Sequence, residues 1–412
     1  MASRSNAMLC VIVALLAVSA ATTVSGQLSS GPWPQDGCDQ QRTGRSQLIG
    51  PHSNPRILWA SGEAGDCHGR MAVRPDGTII TNNHTLSQVV ALSPNDGSLI
   101  WSHGIRGDGT PAIAANGNIY TNHHYKAAYA LRSDGSEIWR TALDGGAWSS
   151  PTIRDDGSVI VGAQGGHLYV LSGTTGEIVW HKQSIIWADV NNPVLGHDGQ
   201  IYVNTGGTAG GHPSVRAFDA NGNELWSNTT IRVPDTDHGA VGTDGTVFYG
   251  GYYGRVYAFD PDDGTVLWVA QHGDKIVGSP AIGLDGTVYT TGRDRMLRAY
   301  DPTDGEVLWA LDTGHPYPSR IAIDAEGVLY FGGGRTVYAV DASGSELWHL
   351  GLPSGIGEET NPIIGGDGLL YVVAGDDLLY AIVPEPATLG LLGLGLSAIL
   401  VKRRRRGGRR SA

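Results

Sequence analysis

A glycine followed four residues later by a tryptophan recurs seven times in this 412-residue chain: Gly97 with Trp101, Gly135 with Trp139, Gly176 with Trp180, Gly222 with Trp226, Gly264 with Trp268, Gly305 with Trp309 and Gly344 with Trp348. Successive tryptophans stand 38, 41, 46, 42, 41 and 39 residues apart, the length of one blade of a β-propeller. Each glycine follows Asp, Asn, Thr or Ser, and such dipeptides supply the positive φ that tight hairpins need. A second series of turns sits upstream of these, at Asp76-Gly77, Asn116-Gly117, Asp156-Gly157, Asp198-Gly199, Asp244-Gly245, Asp285-Gly286, Glu326-Gly327 and Asp367-Gly368. One unit therefore runs as an apolar strand, a first turn, a β-branched or aromatic strand such as residues 287–290, a short loop, a third strand such as 297–300, a second turn and the Trp strand. That is a four-stranded antiparallel meander. The 61 glycines and 20 prolines suit many short strands and turns and do not suit a helical protein.

The ends of the array fix how the ring closes. Eight first turns are present but only seven are followed by a complete Trp strand, because the eighth unit, 363–382, stops after its third strand, 378–381. The segment Arg56-Ile57-Leu58-Trp59 is a Trp strand with no blade before it. An N-terminal strand that completes the last blade leaves no open sheet edge. The expected fold is all-β, an eight-bladed propeller of four-stranded antiparallel blades closed by the N-terminal strand. Seven blades plus a divergent hairpin is the alternative.

The expected organisation is a signal peptide at 1–26, an irregular lead-in at 27–54, the propeller at 55–382 and a sorting tail at 383–412. The first 26 residues hold one charge, Arg4, an apolar run from Met8 to Ala21, and small residues after it, the pattern of a secretory signal; an uncleaved anchor is the alternative. The tail carries Pro384-Glu385-Pro386, an apolar stretch and the basic cluster Lys402 to Arg406. A short apolar helix is expected at each terminus, the C-terminal one crossing the membrane with its cations on the cytoplasmic side. In its three ordered parts the tail resembles the PEP-CTERM sorting signal of some bacteria. That resemblance implies an exosortase-type partner processing the chain near Pro384, Glu385 and Pro386, an inner-membrane-held precursor, and a final place at the cell surface or in extracellular matrix.

Charge narrows the partners further. Between the two terminal segments stand 20 basic and 40 acidic residues, a net charge near −20. Such a surface repels phosphate backbones and argues against nucleic-acid binding. Cys38 and Cys67 are the cysteines outside the signal segment. In an oxidising compartment they are a candidate disulfide pinning the lead-in to the first blade, with two buried thiols as the alternative.

The run Ala-x-Asp-x-x-Asp-Gly-x-x-x-Trp at Ala258 to Trp268 and at Ala299 to Trp309 resembles the tryptophan-docking motif of the PQQ-like β-propeller family. Copies beginning at Ala130, Ala217 and Ala339 are one residue shorter, and Ser93 and Ser172 replace the first Asp in two others. The resemblance implies that Trp59, Trp101, Trp139, Trp180, Trp226, Trp268, Trp309 and Trp348 pack between blades with the indole N–H bonded to backbone. It also raises a quinoprotein dehydrogenase, whose sites commonly hold PQQ over an adjacent cysteine pair with Ca²⁺ bound by Glu, Asn and Asp. No two cysteines are adjacent here, so the favoured reading is a non-catalytic binding or scaffold propeller with no cofactor. PQQ and Ca²⁺ enter only under the dehydrogenase alternative, and a carbohydrate-active enzyme is a second alternative.

Function then falls to the loops at the far ends of the strands. Loops entering each blade and loops between second and third strands share one face. That face collects His68, Arg70, Asn83, His84, His123, His124, Trp148, Trp187, Asp189 and His212, and further round Asp235, His238, Lys275, Arg293, Asp294, His315, Arg320, Glu358 and Glu359. A ring of His and carboxylates can bind a divalent metal or a sugar, and Trp148 and Trp187, outside the repeat register, can stack on a sugar ring or plug the channel. Solvation of a polar rim is the bland alternative for each residue. Which metal, if any, the ring takes is left open by the residues, and the ligand expected is an unknown protein or polysaccharide. Asp260-Pro261-Asp262-Asp263-Gly264 resembles a calcium loop but lacks the distal Glu and falls where a hairpin turn is required.

Overall fold

In a computed structural model of the chain, the described residues are 27–67, 70–183, 189–206, 214–231, 239–251, 253–357, 360–366 and 368–385. All regular structure there is strand, arranged as eight four-stranded antiparallel sheets. Blades 1 to 7 occupy 71–103, 112–142, 152–183, 189–228, 240–271, 276–312 and 322–351. Blade 8 is built from both ends: Ile363–Ile364, Leu370–Val373 and Leu379–Pro384 are joined by the N-terminal strand Pro55–Ser61, which pairs antiparallel to Leu379–Pro384. The eight-bladed count and the closure by the strand containing Trp59 are as the turn arithmetic requires.

The Trp motif works as a unit across each seam. Where the third and fourth strands of a blade pair, the register shifts beside the tryptophan, as between Ala258 and Phe259 opposite Trp268. Such a bulge kinks the outer strand locally and re-aims its side chain. Ala stands opposite the tryptophan in seven blades (Ala91, Ala130, Ala217, Ala258, Ala299, Ala339, Ala381) and Val170 in the third. Small residues there leave room for the ring. Each indole N–H then donates to a carbonyl of the following blade's second turn: Trp59 to Pro94, Trp101 to Ser133, Trp139 to Gly173, Trp180 to Ala220, Trp226 to Pro261, Trp268 to Pro302 and Trp309 to Ala342, at 2.8–3.1 Å. Blade 8 is split and has no such turn, so Trp348 donates instead to the carbonyl of Pro51 in the lead-in, 2.6 Å away. The glycine of the motif lies under the preceding blade's indole, and a Cβ on Gly264 would fall 2.3 Å from Trp226.

The lead-in is irregular because its partners are the blades themselves. Its carbonyls at Trp33, Pro34, Gln40, Gln41, Thr43 and Gly44 accept from the N–H of Val73, Ile113, Leu195, Val241, Ile282 and Ile323. Those six residues occupy the same place in their blades, four residues before the first-turn glycine. Gln40 Nε2 reaches the equivalent Ile153 carbonyl at 2.9 Å. The segment thus makes a circuit of the innermost strands and closes the turn-bearing end of the channel. Arg42 is fully buried at its centre, donating to Asp36 at 2.7 Å, to Thr152 Oγ1 at 2.9 Å and to the Pro193 carbonyl at 3.0 Å. Burying a guanidinium is tolerable only with such a full set of acceptors.

One expectation changes. Cys38 and Cys67 are not bridged; both are buried thiols, with Cys38 Sγ directed at the Pro32 carbonyl and its thiol pushed well up by burial. They belong to one hydrophobic cluster, and backbone hydrogen bonds already tie the lead-in to the inner strands. No helix among the described residues is long and apolar enough to cross a membrane. The signal peptide and the two apolar terminal helices expected from sequence, together with Pro386, lie outside the described residues.

Candidate functional site

The loop face brings four of the expected residues together across blades 1 to 3. Arg70 enters the first strand of blade 1, and His84 lies in the turn between Ile79–Asn83 and Gln88–Leu92. His124 follows Ile119–His123 in the matching turn of blade 2, and Trp148 lies in the connection from blade 2 to blade 3. Asp108, in the connection from blade 1 to blade 2, is the common partner of Arg70, His84 and His124. The His124 imidazole binds the Asp108 carboxylate through Nδ1, His84 Nε2 stands 3.4 Å from the other carboxylate oxygen, and Arg70 donates to the Asp108 backbone carbonyl.

An aromatic shelf lies beside this carboxylate. Trp148, 44% exposed, stacks on the His124 ring at 5.2 Å and 23°. Tyr125, 61% exposed, meets the other edge of His124 at 4.7 Å and accepts a hydrogen bond from Arg106 at 3.3 Å. An exposed indole and phenol beside a carboxylate and a guanidinium offer a stacking surface and hydrogen-bonding groups of both signs. That pairing suits a polyol ring with one apolar face. His123 is set apart from the shelf's polar edge: its Nδ1 accepts from the Tyr125 N–H at 2.9 Å, and burial holds its pKa below the ordinary imidazole value. It shapes the turn that presents Tyr125.

The remaining expected residues are dispersed. Asp189 opens the first strand of blade 4 and pairs with Gly206. Arg293 lies over the Tyr317 ring at 5.3 Å, and His315 packs against Gly334. His68, Trp187, His212 and His238 lie outside the described residues, as do Asp235, Glu358 and Glu359. The residue the sequence reading missed is Asp108. A single Asp in a connecting loop carries no signal until the fold sets two imidazoles beside it.

The quinoprotein resemblance also implies a quinone and Ca²⁺. Between the inner strands, Trp33, Arg42 and Arg320 leave a cavity of about 10 Å³, the room of a single water. Asp36 is already held by Arg42 at 2.7 Å and faces Arg320 at 3.5 Å, so it is not available as a hard-cation ligand. With cysteines only at positions 10, 38 and 67, these residues do not fit a quinone seated on a disulfide.

Comparison with known proteins agrees with the architecture. The family model described as outer membrane protein assembly factor BamB matches residues 86–209, 211–321 and 297–388. The PEP-CTERM protein-sorting motif matches 383–406. No curated protein sequence matches the chain. Among solved structures, the quinohemoprotein alcohol dehydrogenase ADHIIG from Pseudomonas putida HK5 is similar at a TM-score of 0.69 and 15% identity, covering 87% of this chain and 82% of that one. BamB from Moraxella catarrhalis is similar at 0.63 and 17% identity, covering 81% and 98%. The computationally designed Ika8 protein is similar at 0.60 and 17% identity, covering 79% and 99%. At such identities these structures share the fold, and a fold carries many activities. With the model spanning most of the ring and the motif its tail, the chain belongs to the BamB-like family of PQQ-repeat β-propellers and carries a C-terminal PEP-CTERM sorting signal.

Proposed function

We propose that this propeller is an exported, non-catalytic binding module that holds a neutral or amino-sugar polysaccharide at the cell surface or in extracellular matrix. The observation that carries the reading is the shelf of Trp148, His124 and Tyr125 beside Asp108. The charge near −20 between the terminal segments disfavours acidic polymers and favours neutral or cationic ones. The PEP-CTERM motif implies export and recognition by an exosortase. Geometry fits that route: Pro384 pairs with Pro55 and the Glu385 N–H donates to the Asn54 carbonyl, so the tail leaves from the turn-bearing end. The loop face therefore points away from whatever holds the tail.

The test is affinity electrophoresis through gels containing dextran, chitosan or alginate. Retardation by dextran or chitosan and not by alginate, abolished by Trp148→Ala, supports the reading. Release of new reducing ends would replace it with a carbohydrate-active enzyme. Dye reduction by alcohol after reconstitution with quinone and Ca²⁺ would replace it with the dehydrogenase.

A further inference from the structure

Blade 3 carries a second cluster, independent of the ligand shelf. Its third strand, His167–Leu171, pairs with its fourth, Ile178–Gln183, so that Tyr169 lies opposite His181 and His167 opposite Gln183. Residues diagonal on one sheet face are within side-chain reach, and His167 Nδ1 stands 2.8 Å from His181 Nε2. From the connection after Glu137–Ala142, Asp144 folds over the pair. Its backbone N–H donates to Tyr169 Oη, and the Tyr169 hydroxyl donates back to Asp144 Oδ2, both at 3.0 Å. One ligand atom from each of Asp144, His167 and His181 falls within 4.8 Å of the others.

We propose that Asp144, His167 and His181 form a binding site for a divalent transition metal of the Zn²⁺ type, open to solvent at its fourth position. Two imidazoles and one carboxylate are the donor set such a metal prefers. Ligand nitrogens on tetrahedral Zn²⁺ stand roughly 3.3–3.4 Å apart, so the pair must open by about half an ångström. His181 is exposed and can make that move, whereas His167 is held in the sheet at 9% exposure. The supporting shell is in place. Tyr169 fixes the carboxylate and stacks on His181 at 4.2 Å and 6°, and the Gln183 amide lies 3.5 Å from the second nitrogen of His167. Turning that amide presents a carbonyl to the N–H that metal binding requires there. The exposure of Asp144 and His181 leaves the remaining position to water.

The test is titration of the purified, chelator-treated protein with Co²⁺, read by visible absorption, and with Zn²⁺, read by competition with a chromophoric chelator. One equivalent of either ion with tetrahedral Co²⁺ bands is expected. His181→Ala and Asp144→Asn weaken Zn²⁺ binding on the order of tenfold or more, and Tyr169→Phe weakens it less. His84→Ala with His124→Ala leaves it unchanged. Absence of stoichiometric binding, or equal affinity in wild type, His181→Ala and Asp144→Asn, overturns the site. Both ligand variants are at exposed positions, so circular dichroism separates loss of metal from loss of fold.

Discussion

Replacing Gly264 by alanine tests whether the motif glycine is there for its backbone alone or also for the seam. Gly264 holds φ at +70°, and an added Cβ would lie 2.3 Å from Trp226 Cε3. Trp226 is 7% exposed and bonded at 2.8 Å to the Pro261 carbonyl, so it has little room to yield. Two costs follow: about 1–2 kcal/mol for a Cβ in the left-handed region and about 1–3 kcal/mol for overpacking the seam. Gly199 supplies the control, since it has φ +78° and nothing within 4 Å of its Cβ position. Gly199→Ala should therefore cost only the first amount, about 1–2 kcal/mol. Trp226→Ala alone should cost about 3–5 kcal/mol. In the double variant with Gly264→Ala the overpacking disappears, and the sum falls short of additivity by about 1–3 kcal/mol. Urea unfolding followed by far-UV circular dichroism on the four variants reads all these differences. Equal loss in Gly264→Ala and Gly199→Ala, or strict additivity in the double variant, would refute the seam argument.

Arg42→Ala removes the cation at the centre of the lead-in together with its hydrogen bonds to Asp36, the Pro193 carbonyl and Thr152; thermal and urea unfolding should show a loss of about 3–5 kcal/mol. Arg295, half exposed and 3.2 Å from a half-exposed Asp312, is the contrast, and Arg295→Lys should stay within about 1 kcal/mol. Acid should destabilise the ring through its turns. Hydrogen bonds from Ser136 onto Asp134 and from Asn223 onto Asp219 hold these carboxyls below their ordinary pKa, as hydrogen bonds do for Asp96 and, from the Thr265 backbone, for Asp263. A carboxyl with a depressed folded pKa stabilises fully above its unfolded value and loses that contribution as pH falls through the folded value. Asp39, raised by burial, works in the opposite sense but is one group. The melting temperature should accordingly fall as pH drops below about 4, and a flat or rising profile there would contradict the assignment.

The ring was legible because its information is local. Each Asp-Gly or Asn-Gly dictates a hairpin, and counting first turns against tryptophans exposes the missing strand that Trp59 supplies. The seams were legible for the same reason, since Gly and Trp recur four residues apart in each of the seven complete copies, with Ala nine or ten residues before the Trp in six of them. What could not be read depends on where the fold sets distant segments. Residues 27–54 show no periodicity because their hydrogen bonds go in turn to seven blades, and a loop arginine such as Arg42 looks solvent-exposed until that circuit is seen. Cys38 and Cys67 suggested a bridge because sequence carries no distance, yet each has its own place in the core. Arg70, His84, His124 and Trp148 were expected on the loop face, but Asp108, which gathers three of them, carries no mark in the chain. His167 and His181 escaped notice for a related reason: they are 14 residues apart and meet only through the pairing of the two outer strands of blade 3.

On the proposed reading, the loop face at blades 1 to 3 binds a polysaccharide without transforming it. The most direct measurement is the mobility of wild type and Trp148→Ala in dextran and chitosan gels, with reducing ends counted in the same incubations. Retardation of wild type, loss of it in Trp148→Ala at unchanged melting temperature, and a constant number of reducing ends are predicted. Equal mobility of the two proteins, or a rising count of reducing ends with wild type, would contradict it.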